Sequence, residues 1–279
     1  MVNTAARFII FIANRWITPD NYSLFASMAF PFFPAPVLAA GLTFALSHAT
    51  IPAKCVLVTL FFGSIFSWSV MWTKLRVVNI AKRQARNFRD HFRADRQPLR
   101  LYSLGARFDG TPLYDVYLAG CEELTFHLLG SPEVDETFKG RLEIAPRIST
   151  TQMRAVDSAM ERAVGESSLR LESQMILLAS AVSGAPFLGL LGTVWGVMDT
   201  FGDVATAGSA NLTAMAPGVS AALITTVTGL LVAIPAMFGY NFLVTSIRAM
   251  TVDMDNFAAE LSSEFAHRYV DHGARPLRK

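Results

Sequence analysis

The chain has 279 residues, 52% of them apolar and only 16% charged, with a net charge of +2 and a mean hydropathy of +0.37. Soluble domains average about 45–50% apolar and about 25% charged residues, so the composition excludes a disordered chain and argues against an ordinary soluble enzyme. The net charge is too small to point to nucleic acid. Cys55 and Cys121 make neither a disulfide framework nor a metal-ligand spacing.

In chain order, residues 1–50 come first. Leu24 to Leu46 is apolar enough for a span, but Pro31, Pro34 and Pro36 interrupt it. Prolines so close together remove donors that a lipid-exposed helix needs. Ala39, Ala40 and Gly41 resemble a signal-peptide cleavage site. The preferred reading is an interfacial segment outside the membrane, with Phe8 to Ala13, beside Arg7 and Arg15, on its surface.

The first span is assigned to residues 51–73. Its apolar run, Cys55 to Trp72, lies between Lys54 and Lys74 and is near the lower limit for crossing a hydrocarbon core. Residues 74–170 are polar and helical in pattern. Breaks at Gln97-Pro98, Asp109-Gly110-Thr111-Pro112, Gly130-Ser131-Pro132 and Ala145-Pro146 divide them into helices of about ten to twenty residues. From Arg147 the pattern runs uninterrupted towards the second span, with Met153, Val156, Met160 and Val164 at helical spacing. Residues 171–247 hold the two long spans, Met175 to Phe201 and Ala214 to Val244. No Lys or Arg occurs between Arg170 and Arg248, and a buried core helix rarely runs so long without charge. Residues 248–279 continue the third span as a helix through Met250, Met254, Phe257 and Leu261 into a basic tail.

Basic residues set the orientation. Lys74, Arg76, Lys82, Arg83, Arg86, Arg89 and Arg93 follow the first span. Arg154, Arg162 and Arg170 precede the second, and Arg248, Arg268, Arg275, Arg278 and Lys279 follow the third. The connection Gly202 to Thr213 has Asp203 and no base. The positive-inside rule puts 74–170 and 248–279 in the cytoplasm, with the N-terminus and the 202–213 loop outside. The expected fold is an all-α membrane protein with three spans and two long helices extending into the cytosol. No phosphate loop, His-Glu-x-x-His or Gly-x-Ser-x-Gly occurs, and His91, His127, His267 and His272 are scattered. Nothing supports a catalytic residue, metal or cofactor.

The second span carries Ala185, Gly189, Thr193, Gly196 and Thr200 at intervals of four, four, three and four, hence on one face, with Asp203 continuing it. The third has Gly218, Ala221 or Ala222, Thr225, Gly229, Val232 and Ala236 on a similar face, with Thr226 about 100° round from Thr225. Small residues at such spacing permit close helix packing, and Thr can bond its own helix. The alternative is that the hydroxyls face an aqueous or partner-filled channel, and both can hold at once. Neither span has an ionisable group near its middle; Glu172, Asp199 and Asp203 lie towards the ends. Any titrating group for proton passage must then come from another chain, because Thr only donates to and accepts from it.

The run Ala185-Pro186-Phe187-Leu188-Gly189-Leu190-Leu191-Gly192-Thr193-Val194-Trp195-Gly196-Val197-Met198 resembles the second-span signature of the MotA/TolQ/ExbB proton channel family, TolQ/ExbB branch. Ala216-Pro217-Gly218, Thr226, Gly229-Leu230, Ala233-Ile234-Pro235-Ala236 and Tyr240-Asn241 resemble its third-span signature. Phe66-Ser67-Trp68 before Lys74-Leu75-Arg76 is similar to the end of its first span, and Asp255-Asn256-Phe257 with His267-Arg268 is similar to the TolQ type. The resemblance covers about Leu42 to His267.

It implies a homopentamer around a dimer of a single-span TolR/ExbD-type protein whose membrane aspartate takes the proton. It also implies force delivered outward, through a TolA/TonB-like protein, and contact with membrane lipid. By motif, Thr193 and Thr226 take the places of pore-lining threonines, and Pro186 and Pro235 match the helix-shaping prolines. Gly189, Gly192, Gly196, Ala221, Thr225 and Gly229 are pore or packing positions. Gly192→Leu is expected to disturb subunit packing.

One position departs from the pattern. Val219-Ser220-Ala221-Ala222-Leu223 has Ala221 where the family's Ile-Ala-Glu-Ala-Leu has glutamate. This removes a candidate proton acceptor or charge partner, part of whose role could pass to Ser220 or Thr225. Two functions therefore compete: a proton-driven motor subunit, and a non-conducting scaffold for a single-span partner. A secondary transporter would need internal repeats and a broken helix at its site, and neither is seen. Among motors, Tol-like, Ton-like and gliding roles stay open.

Overall fold

The structure, a computed structural model, describes residues 43, 47, 49–94, 97–108, 110–134, 137–208 and 211–271. The expected interfacial segment up to residue 42, including its three prolines and the cleavage-like Ala39-Ala40-Gly41, lies outside the described residues, as do His272, Arg275, Arg278 and Lys279. Among the described residues the fold is all-α apart from one isolated bridge between Ile148 and Val270. The elements are α1 (Ile51–Ala94), α2 (Arg100–Ser103), α3 (Pro112–Leu129), α4 (Phe138–Ile144), α5 (Thr150–Glu172), α6 (Met175–Ala207) and α7 (Leu212–Tyr269). Three helical stretches are long and apolar enough to cross a membrane, in α1, in α5–α6 and in α7.

All four expected breaks fall between helices, and three have a visible local cause. Pro112 starts α3, where its missing N–H is harmless, and Gly130 ends it in the left-handed region (φ 75°) with its N–H on Phe126 O. Ser149 and Gln152 form a capping box that starts α5. Several expectations need correction. α1 runs on through Lys74 to Ala94, so the two helices that carry apolar spans unbroken into polar sequence are α1 and α7. α2 and α4, with 4 and 7 residues, are shorter than expected. α6 extends to Ala207 and α7 begins at Leu212, which shortens the connection between the second and third spans.

The uninterrupted helix from Arg147 into the second span is also corrected. It begins at Thr150 and breaks at Ser173-Gln174, where Gln174 has φ 66°, the one non-glycine with positive φ among the described residues. Lys74, only 5% exposed, explains the break: its Nζ donates to Leu171 O at 3.2 Å and Ser173 Oγ at 2.9 Å. A cation suits the negative end of the α5 dipole, and it takes up a carbonyl that a continuing helix would otherwise satisfy.

The chain divides into two compact units. One comprises, among the described residues, those of Ile65–Val182 and those from Ile234 onward. Its core is made of large side chains. Phe88 is fully buried, with ring contacts to Phe92, Phe108, Tyr114, Tyr117 and Phe257 at centroid distances of 5.3–6.2 Å. Met250, Met254, Phe257, Leu261 and Phe265 line the buried stripe of α7 against Val156, Met160 and Val164 of α5. Tyr117 Oη donates to Pro98 O at 2.6 Å and accepts from the Tyr102 N–H at 3.0 Å, which satisfies a buried hydroxyl while tethering the 97–102 loop. Ion pairs Arg89–Asp253, Arg93–Glu260 and Arg170–Asp115 lie at its rim, exposed enough to contribute little each.

The other unit comprises, among the described residues, those up to Ser64 and those of Ser183–Ala233. Its buried clusters are small: Leu60 with Ala185 and Ala233, and Ala49 with Ala53 and Ala221. Phe61, Phe62, Phe187, Val194 and Leu223 are each more than half exposed. So many large apolar side chains left exposed suit lipid or another protein surface, not water.

Candidate functional site

α6 and α7 pack antiparallel within the small-residue unit, and glycines decide how closely. A Cβ on Gly229 would lie 2.6 Å from Ala185 O and 3.2 Å from Gly189 Cα. One on Gly189 would lie 2.9 Å from Thr225 O and 3.0 Å from Thr226 Cα. These obstacles are backbone, so the two helices touch main chain to main chain. Further along, a Cβ on Gly196 would meet the Ala222 Cβ at 2.7 Å, and one on Gly218 would meet Thr200 Oγ1 at 2.5 Å. At Gly192 the obstacle is Thr225, whose Oγ1 would lie 2.5 Å from an added Cβ. A leucine at Gly192 therefore collides first with this chain's own α7, whatever a second copy does. Helices in lipid gain nothing from hiding apolar surface from lipid, so close approach by small residues is the usual source of attraction.

The approach brings four oxygens together. Thr226 Oγ1 donates to Gly189 O (3.1 Å) or to Thr193 Oγ1 (3.3 Å). Thr193 Oγ1 donates to Leu190 O at 2.7 Å. Thr225 Oγ1 lies 3.0 Å from Gly189 O and 2.7 Å from Ala222 O. Thr193 and Thr226 are half-buried, whereas Thr225 is fully buried. The two threonines carried over from the resemblance thus meet across the helix pair, 33 positions apart in sequence.

Pro186 and Pro235 are half-buried inside α6 and α7, and both helices continue through them. Ala221, at the departure from the family pattern, is 1% exposed and clustered with Ala49 and Ala53. A glutamate there would have to displace both alanines. Ser220 is exposed, and the Thr225 hydroxyl is already engaged in the helix pair. Asp199 is half-buried and Asp203 exposed, both near the C-terminal end of α6. Among the described residues no group of three His, Cys, Asp or Glu could hold a metal.

Several contacts were invisible in the sequence. Thr200 under Gly218 and Met71 against Gly239 each need a tertiary partner to be recognised. The Ala49/Ala53 pair has helical spacing, which is the only signal that could have flagged it.

Comparisons with known proteins converge on this region. The MotA/TolQ/ExbB proton channel family matches residues 131–256. The Tol-Pal system protein TolQ of Haemophilus influenzae is 35% identical over 217 residues, covering 77% of this chain and 89% of the relative. TolQ of Pseudomonas aeruginosa is 32% identical, covering 70% and 80%. The biopolymer transport protein ExbB of Salmonella typhimurium is 28% identical, covering 83% and 90%. With three apolar helices, a matched pair of span motifs and likeness of this extent, the chain belongs to the MotA/TolQ/ExbB proton channel family, in its TolQ/ExbB branch, as a multi-pass inner-membrane member of an energy-transducing family.

Proposed function

We propose that this chain is the proton-channel subunit of an inner-membrane motor. Five copies surround a dimer of a single-span TolR/ExbD-type partner, and the proton motive force drives work at the envelope of the Tol-Pal or TonB kind. The N-terminus faces the periplasm and residues 74–170 and 248–279 the cytoplasm, as the basic residues require. The observation that carries the reading is the half-buried Thr193–Thr226 pair in two spans without a central ionisable group.

A carboxylate supplied by the partner has to exchange its proton where hydroxyls can both donate and accept. Charged, it would be costly in bare hydrocarbon, and hydrogen bonds from the threonines offset part of that cost. Protonated, it passes the apolar wall more easily. The threonines bind and orient; they do not titrate. The exposed Phe187, Val194 and Leu223 face lipid or neighbouring copies.

The test is proton flux in liposomes holding this chain and a single-span partner. Thr193→Ala with Thr226→Ala is expected to reduce flux about a hundredfold or more, the scale of two lost charge-assisted hydrogen bonds at about 1.5 kcal/mol each. Flux unchanged by the double substitution removes the pore assignment. A second reading, a non-conducting scaffold, is favoured by one observation: Ala221 is sealed by Ala49 and Ala53 and leaves no acid near the middle of the spans. A partner conformation that responds to collapse of the proton gradient only when this chain is present excludes the scaffold.

A further inference from the structure

Thr225 sits beside the Thr193–Thr226 pair yet is fully buried, so it does not line any lumen itself. We infer that Thr225 is a positioning residue whose hydroxyl holds the Gly189 carbonyl, so that the single proton of Thr226 is free to turn to Thr193 or to a group in the lumen. The inference rests on the proton-channel reading and assigns a role within the same site.

The argument is one of counting hydrogens. A threonine hydroxyl has one proton and two lone pairs. Thr226 has two acceptors in range, Gly189 O at 3.1 Å and Thr193 Oγ1 at 3.3 Å, and serves one fully at a time. Thr193 spends its own proton on Leu190 O at 2.7 Å, so it is left to accept. Gly189 lies inside α6, so its carbonyl already accepts a helical N–H and has one lone pair left, for which Thr225 and Thr226 compete. Thr225 reaches the same carbonyl at 3.0 Å and shares its one proton between it and Ala222 O at 2.7 Å, the i−3 carbonyl of its own helix. The residue cannot drift from this post, because its side chain fills the hollow over Gly192, where an added Cβ would come within 2.5–3.1 Å of its three side-chain heavy atoms. When Thr225 occupies that lone pair, the proton of Thr226 is left for Thr193 or for a group in the lumen.

The experiment uses the full chain reconstituted with a single-span partner, with two readouts. One is proton flux; the other is the carbonyl carbon shift of Gly189 by solid-state NMR. Thr225→Val keeps the shape and removes the donor, whereas Thr225→Ser keeps the donor and removes the methyl. Expected for the valine variant is flux lowered about three- to tenfold, the scale of one neutral hydrogen bond, with unchanged oligomer size and an upfield Gly189 shift. The serine variant should restore both readouts to within about twofold of the parent. An unmoved Gly189 shift in the valine variant overturns the inference. So does equal loss of flux in both variants, which marks a packing role, and so does a moved shift with unaltered flux. Should the valine variant fail to assemble, Thr225→Ala is read by the same criteria. Absence of flux in the parent complex would instead defeat the channel reading, and the Gly189 shift would then decide the hydrogen bond alone.

Discussion

The two units of this protein solve the packing problem with opposite materials. Around Phe88, large rings interlock, and Tyr117, Phe257, Leu261 and Phe265 are buried almost completely. Between α6 and α7, the contact is made by residues with almost no side chain, Gly189, Gly229 and Gly196, while Phe187 and Leu223 point outward. In water, burial of big apolar groups is the main driving force, so a core is built from what is large. In lipid that force is absent between helices, and what holds them is contact distance and buried hydrogen bonds, so the interface is built from what is small.

Truncation and enlargement should therefore have opposite effects in the two places. Phe88→Ala, which removes a ring touching five others, is expected to cost about 3–5 kcal/mol of stability, read by thermal unfolding in detergent. A loss below about 1 kcal/mol would mean that the ring cluster is not a core. Gly229→Ala adds one methyl against the Ala185 carbonyl and is expected to cost about 1–3 kcal/mol. Gly202→Ala, in the same helix pair but with nothing within 4 Å, should be neutral or slightly stabilising. Equal effects of the two alanines would erase the distinction between contact and open glycines.

The smallest effect concerns the rim of the ring-filled unit. Burial raises the Asp115 carboxyl above the usual 3.8, and Arg170 beside it only partly opposes this. A raised native value means that the folded protein holds this proton more tightly than the unfolded chain. Its contribution is then fully present below pH 3.8 and is lost as pH rises through the raised value. Asp115→Asn should flatten that slope in a pH series of unfolding midpoints, and an unaltered slope would assign it to other groups.

Much of this was legible in the chain. The spans announce themselves by apolar length, the breaks by Pro and Gly, and the helix contact by glycine spacing, because each of those signals is local in sequence. The α7 stripe Met250, Met254, Phe257 and Leu261 is legible for the same reason and is buried as its period requires. The break at Ser173-Gln174 was not, since its cause is Lys74, 99 residues from Ser173. Nor was the sealing of Ala221 by Ala49 and Ala53, or the different fates of adjacent Thr225 and Thr226, one sealed and one half-open.

By itself, then, the amino-acid order determined where helices start, how many are greasy enough to enter a bilayer and which faces carry small or hydroxylated side chains. Those properties follow from hydropathy and from the angle per residue. Only the tertiary structure decided which hydroxyl meets which carbonyl, because a helix period locates a side chain to within about 100° per step while a hydrogen bond demands about 3 Å. That last increment of precision comes from the glycine contacts, which set how far α6 and α7 can approach and hence which threonine is buried.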